Sequence, residues 1–250
     1  MAVVHELSST SLVKLISFVF WGTLYHYIAL TRPGKAREWS SRLVTLLHGS
    51  VATIVGLSQC DIMNLTYWRL NSDPIFPVKI TTQHYMLMLW SWGYFAFDLL
   101  WCLVYQSEGR LILLHHASAL VAITLYMQKD YTGCTFACNL AMMEITNPLL
   151  QARWFLKYEG YQKSTTFYIV ETTYVVMFLI VRGLLGSYLI YKIMGSQIFD
   201  LDEKLISLVF YFVSIGLIYD VMGYVLHRYK ANILPIIMSH IPIPVCTDNT

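Results

Sequence analysis

Seven apolar blocks, each about long enough to cross a bilayer, dominate this sequence. They run approximately over Ser11–Thr31, Leu43–Ile62, Gln83–Tyr105, Leu111–Met127, Thr132–Leu150, Phe167–Tyr191 and Leu205–Leu226. A helix rises about 1.5 Å per residue, so roughly 20 apolar residues span the hydrocarbon core. Charge content agrees. Only 13% of the 250 residues are charged, against about 25% in a soluble domain, too few to cover a water-facing surface. The expected fold is all-α: a polytopic membrane helical bundle of about seven transmembrane helices. Residues 1–31 form the first, 32–228 a domain of about six more, and 229–250 a short C-terminal tail.

The connections are short. Pro33-Gly34 closes the first span, and Asn71-Ser72-Asp73-Pro74 with Pro77 marks a loop before the third. Pro148 removes the amide that would bond the Glu144 carbonyl and invites a kink in the fifth. The fourth span is the shortest, and a re-entrant segment is its alternative. The stretch Leu12–Leu30 is longer than the apolar core of a signal peptide and no small-x-small site follows it, so it reads as a retained span. Net charge is +2, and no nucleic-acid motif occurs. The five cysteines lack paired zinc spacing. Cys134 and Cys138 read as small packing residues. No metal and no cofactor is expected.

Lysines and arginines orient the chain. Arg32, Lys35, Arg37 and Arg42, then Arg153, Lys157 and Lys163, then Arg228 and Lys230 share one side of a seven-span bundle. That side is expected to be cytosolic. The other side holds Arg69 and Lys79, then Lys129, then Lys192 and Lys204. It also carries the sequon Asn64-Leu65-Thr66. The N-terminus is then lumenal or extracellular and the C-terminus cytosolic, in the endoplasmic reticulum or the plasma membrane.

Ionisable residues inside a bilayer cost about 2.5–3.5 kcal/mol each on insertion scales and usually face the bundle interior. Here they are His48, Asp98, His115, His116, Glu144, Glu171, Arg182 and Asp220, with Asn139 and Asn147 as polar companions. Nearly all fall in the expected cytosolic half, which points to a cavity near that face; only Arg182 sits near the middle. At about 100° per residue, Glu144, Asn147 and Gln151 share one face, and Glu171, Tyr174, Phe178 and Arg182 share another. Arg182 calls for a carboxylate partner, with Asp98 and Glu144 as candidates. The adjacent histidines point about 100° apart. His115 lies over Ser118, Ala119 and Ala122, and His116 over Leu120 and Ile123.

Three runs carry a resemblance. They are Phe97-Asp98-Leu99-Leu100-Trp101 with Gln106-Ser107-Glu108-Gly109, then His115-His116, then Glu144-Ile145-Thr146-Asn147-Pro148 continuing through Arg153-Trp154-Phe155-Leu156. With Glu38–Gly49 upstream, this pattern resembles the TLC-domain family over nearly all of the chain, so residues 32–228 correspond to the TLC domain. The resemblance implies a helical bundle around a lipid- or acyl-chain-sized cavity. Relatives include ceramide synthases, which join an acyl-CoA to a sphingoid base and place paired histidines in the active site. Carried over by motif, those are His115 and His116. Ceramide synthases follow them with a His-Asp-x-x-Asp type segment, whereas this chain reads Met142-Met143-Glu144-Ile145-Thr146-Asn147-Pro148.

Two functions follow as expectations. The first is membrane lipid homeostasis through binding of a membrane lipid or acyl chain, an acyl-CoA included. His48, Asn147, Arg153 and Arg182 are the lipid-binding candidates. The second is an acyl or lipid-headgroup transferase or hydrolase. His115 and His116 would act there as base or nucleophile, with Asp98 and Glu144 as the carboxylates that orient them. A sorting receptor is a third reading. A transporter fits poorly, because the polar groups cluster in one leaflet instead of lining a through-path.

Overall fold

The computed structural model describes residues 2–60 and 80–240, with side chains described over 10–60 and 80–230. The sequon at Asn64, the Asn71–Pro77 loop, Arg69, Lys79 and the tail from Ile241 lie outside the described residues. Among the described residues all regular structure is helical. The order is α1 (Ala2–Thr31), α2 (Arg37–Gln59), α3 (Thr82–Tyr105), α4 (Arg110–Tyr126), α5 (Thr132–Glu144) and α6 (Asn147–Tyr158). Then come α7 (Thr165–Phe178), a π-helical segment (Leu179–Leu185), α8 (Gly186–Gly195) and α9 (Leu201–His240).

Among the described residues, five helical stretches are long and apolar enough to cross a membrane: Thr10–Thr31 of α1, α2, α3, Thr165–Gly195 and Leu201–Lys230. The other two expected spans are short. α4 has 17 residues, at the low end of what reaches across a bilayer. The fifth is broken. Helix α5 stops after 13 residues, the chain turns at Ile145 and Thr146, and α6 restarts with Pro148 in its first turn. A first-turn proline has no intrahelical bond to lose. α9 continues to His240, so the expected tail begins as helix.

Local chemistry fixes several ends. Thr81 caps α3 by accepting from the His84 amide at 3.3 Å, and Ser164 caps α7 by accepting from the Phe167 amide at 3.1 Å. Gln106 ends α3 in the left-handed region, with φ 48°.

Helix α1 packs on α3, α2 on α5 and α6, and α4 on α3 and α9. Two of these contacts depend on glycine. A Cβ at Gly93 would overlap Ser17 of α1, and one at Gly56 would overlap Ala141 of α5. Small residues at such crossings let backbones approach where hydrocarbon offers no hydrophobic drive between helices. An aromatic core fills the space behind them. Trp21 is fully buried and donates its indole N–H to the Trp90 carbonyl at 3.1 Å.

The two ends of the bundle differ. At one, Lys35 pairs with Glu159 at 2.6 Å, Arg42 with Glu108 at 2.7 Å, and Arg228 reaches the Gln162 carbonyl at 3.5 Å. The three connections rich in lysine and arginine therefore meet there. At the other, the Ile80 amide bonds the Asp130 carbonyl at 2.7 Å, and Thr132 donates to Glu203. Lys129 meets Asp200 at 2.6 Å, and that hydrogen bond raises its ammonium above the ordinary lysine value.

Cys60, at the end of α2, is disulfide-bonded to Cys138 of α5 across 78 residues. This corrects the reading of Cys138 as a packing residue. The α2–α5 contact that creates the bond is a long-range one, and spacing between cysteines carries no trace of it. Cys134 is buried, with its sulfur 3.8 Å from His84 Nε2.

Candidate functional site

The break between α5 and α6 shapes the interior. At the kink, Asn147 donates its side-chain amide to Glu144 at 2.9 Å, and Gln151 donates to Asn147 at 3.1 Å. The shared face expected from helical spacing thus survives the break as a polar ladder. Glu144 is 4% exposed and Gln151 1%. Behind Glu144 stands His48, about midway along α2 and fully buried. Its ring stacks on Tyr94 with centroids 3.8 Å apart, and one nitrogen lies 3.2 Å from Ser91 Oγ. The other, Nδ1, is 3.6 Å from Glu144.

In front of the ladder is a polar chamber of about 390 Å³, walled by α2, α3, α4, α6, α7, the π segment and α9. Asp98, His115, His116, Glu144, Asn147, Arg153 and Arg182 all line it, and Asp220 joins them. His48 does not; it supports the wall from outside. Next to the chamber is a smaller apolar cavity of about 110 Å³, between α4, α5, α8 and α9, walled by residues such as Phe136, Ile190, Ile193 and Phe210. Asn139 lines this cavity. The two share Phe95, His115, Met143, Glu144 and Arg182. One face of that septum is polar and the other apolar.

The histidine pair divides as its spacing requires. His116 Nδ1 lies 3.2 Å from Asp98 Oδ2, within ion-pair distance but turned off hydrogen-bond geometry. His115 sets its ring edge against Phe210 of α9, centroids 5.8 Å apart. Its Nδ1 has no hydrogen-bond partner. Asp98 thus flanks the His116 ring on its Nδ1 side. Cys102 lies beside this pair. One atom each from Asp98, Cys102 and His116 fall within 4.8 Å of one another, a mixed O, S and N donor set of a kind that binds divalent ions.

At the chamber mouth Glu171 gathers two arginines. Arg153 Nε bonds it at 2.9 Å and Arg228 Nε lies at 3.1 Å. Tyr224 donates to it at 2.8 Å, and Tyr229 donates as well. Arg153 also lies 4.5 Å from the centre of the Tyr224 ring. Burial works against the Arg153 charge, but the bonds to Glu171 and Tyr224 outweigh it and hold the guanidinium above the ordinary arginine value. The expected Glu171, Tyr174, Phe178 and Arg182 face is buried throughout.

Arg182 corrects one expectation. Neither Asp98 nor Glu144 pairs with it. Its one hydrogen bond among the described residues is to Ser214 at 3.5 Å, and Phe178 lies under the guanidinium at 5.2 Å. Sequence reading also missed Arg42, Glu108 and Tyr224 as chamber residues. Arg42 and Glu108 lie near helix ends, where charge looks like an ordinary interfacial anchor, and Tyr224 lies within α9, where a tyrosine looks like any other apolar residue.

Replacing His48 by Phe keeps the stack on Tyr94 but leaves Glu144 facing an apolar ring. Loss of one partner of a buried pair costs about 3 kcal/mol. A thermal melt in detergent should show a clear fall in Tm for His48→Phe and little change for Asp220→Asn, whose side chain is exposed. Equal melts would mean that the His48–Glu144 contact does not support the wall.

Comparison with known proteins agrees with this architecture. Human TLC domain-containing protein 4 is 23% identical over 207 residues, covering 76% of each chain. Residues 38–229 match the TLC domain, from the start of α2 to the Arg228 cluster at the mouth of the chamber, so the chain belongs to the TLC-domain family.

Proposed function

We propose that the protein binds a membrane lipid or acyl chain inside the bundle and so acts in membrane lipid homeostasis. One observation carries this reading. A polar chamber and an apolar cavity share a wall inside a membrane bundle. A lipid has the same two-part character, a polar end and an apolar chain. Its polar end would meet His115, His116 and Asn147, and its chain would pass the septum. Within the family, the Glu38–Gly49 and Glu144–Leu156 runs are similar to TLC domain-containing protein 5.

The chamber reaches Arg42, Glu108 and Arg153 at the end where Arg153 and Arg228 gather on Glu171. We assign that end to the cytosol on the bias of lysine and arginine. The disulfide at Cys60 and Cys138 supports the assignment, because disulfides persist on the oxidising side of a membrane. The N-terminus is then lumenal or extracellular, in the endoplasmic reticulum or the plasma membrane. In sealed microsomes, added protease should remove a C-terminal tag and spare an N-terminal one; the reverse pattern would invert the topology.

A second reading, acyl or headgroup transfer or hydrolysis, is favoured by the His116–Asp98 pair. Untargeted lipidomics separates the two. Cells lacking the protein are rescued with wild type or with His115→Ala/His116→Ala at matched expression. Binding predicts that the double variant still restores much of the altered lipid class. Catalysis predicts no restoration, with substrate accumulating. No lipid change on deletion would remove both.

A further inference from the structure

Arg182 is a buried charge with no ion pair among the described residues, and the Glu144 carboxylate acts on it only through space. It is 7% exposed, and its Nε has no hydrogen-bond partner. A guanidinium stays ionised, and a buried, unpaired charge costs several kcal/mol. The other chamber arginines are paired: Arg42 with Glu38 and Glu108, Arg153 with Glu171. Arg182 has no carboxylate within ion-pair distance among the described residues. Glu144 shares the septum with it, but its Oε2 is taken by Asn147 and faces His48.

The backbone marks the same place. Arg182 lies within the π-helical segment Leu179–Leu185. Such segments are rare and often occur at functional sites. This one puts a guanidinium on the wall shared by the two cavities, with Ser214 and the unpartnered Nδ1 of His115 on the rim of the apolar one. From Arg182 the lining continues along α8 to Ile193, about 16 Å of helix. The apolar cavity is the smaller of the two, about 110 Å³ against 390 Å³, and leaves no room for a second chain.

We propose that Arg182 receives the anionic end of a single-chain lipid, with the chain lying along the apolar cavity toward Ile193. A guanidinium fork matches carboxylate and phosphate oxygens two at a time, so a fatty-acid carboxylate and a lysolipid phosphate share the required chemistry. The carboxylate is the smaller of the two and suits the smaller cavity. This assignment rests on reading the two joined cavities as a lipid site, and it names the class of lipid.

The test uses full-length protein in phosphatidylcholine nanodiscs. Binding and thermal stabilisation are measured with palmitate, palmitoyl lysophosphatidate and hexadecanol, which share a chain and differ in head. Wild type should bind palmitate at least about tenfold tighter than hexadecanol, and Arg182→Gln should abolish that preference while keeping hexadecanol affinity. Without ligand, Arg182→Gln should melt no lower than wild type, because it removes a buried charge that has no ion pair among the described residues. Arg182→Lys, which keeps charge but loses the fork, should weaken palmitate several-fold; it decides the matter if the Gln variant does not fold. Arginine-dependent preference for lysophosphatidate over palmitate would assign the anion as phosphate and overturn the carboxylate. A palmitate preference that survives Arg182→Gln would overturn the proposal and leave the lipid site standing. Failure of all three ligands to bind wild type would remove the lipid site itself.

Discussion

A charged group in hydrocarbon must find another polar group or keep water beside it, and that requirement organises this protein. Glu144 meets it through Asn147 and His48. Those contacts need α2 and α5 side by side, and close approach at Gly56 and Ala141 permits it. They also need Asn147 one turn beyond Glu144 on the same face, across a helix break that Pro148 favours. The ladder, the kink and the α2–α5 crossing are three consequences of placing one carboxylate in the membrane.

The same requirement separates the two cavities. Asp98 stands beside His116 and the Glu171 cluster is internally paired, and these groups line or border the polar chamber. Beyond the septum the lining turns apolar, with Phe136, Ile190 and Ile193 in place of ionisable groups. His115 and Arg182 stand on the boundary with polar atoms left open. The interior therefore has a direction, polar toward one end and apolar toward the other, and so does a lipid.

Features set by neighbours along the chain were legible in the sequence. Helix α3 at Thr82–Tyr105 lies within a residue of its apolar block. The kink at Pro148 and the Glu144–Asn147–Gln151 face follow from helical periodicity alone. Features set by contacts between helices were not legible. The partner of Cys60 lies 78 residues away, and the stacking of His48 on Tyr94 depends on how α2 meets α3. Arg182 shows the limit most clearly. Its charge in mid-span called for a carboxylate, and periodicity placed Glu144 at a plausible depth. Only the packed structure reveals that Glu144 is already held by Asn147 and faces His48, so that no carboxylate among the described residues comes within ion-pair distance of the arginine.

In this reading one lipid keeps its polar end on the chamber side of the septum, beside His115, Glu144 and Arg182, and lays its chain along the apolar cavity. Cryo-electron microscopy of the protein in lipid nanodiscs tests this most directly. The account predicts a single elongated density that starts beside His115 and His116, crosses the septum and runs toward Ile193. Density confined to the chamber, with the apolar cavity closed or empty, would contradict it.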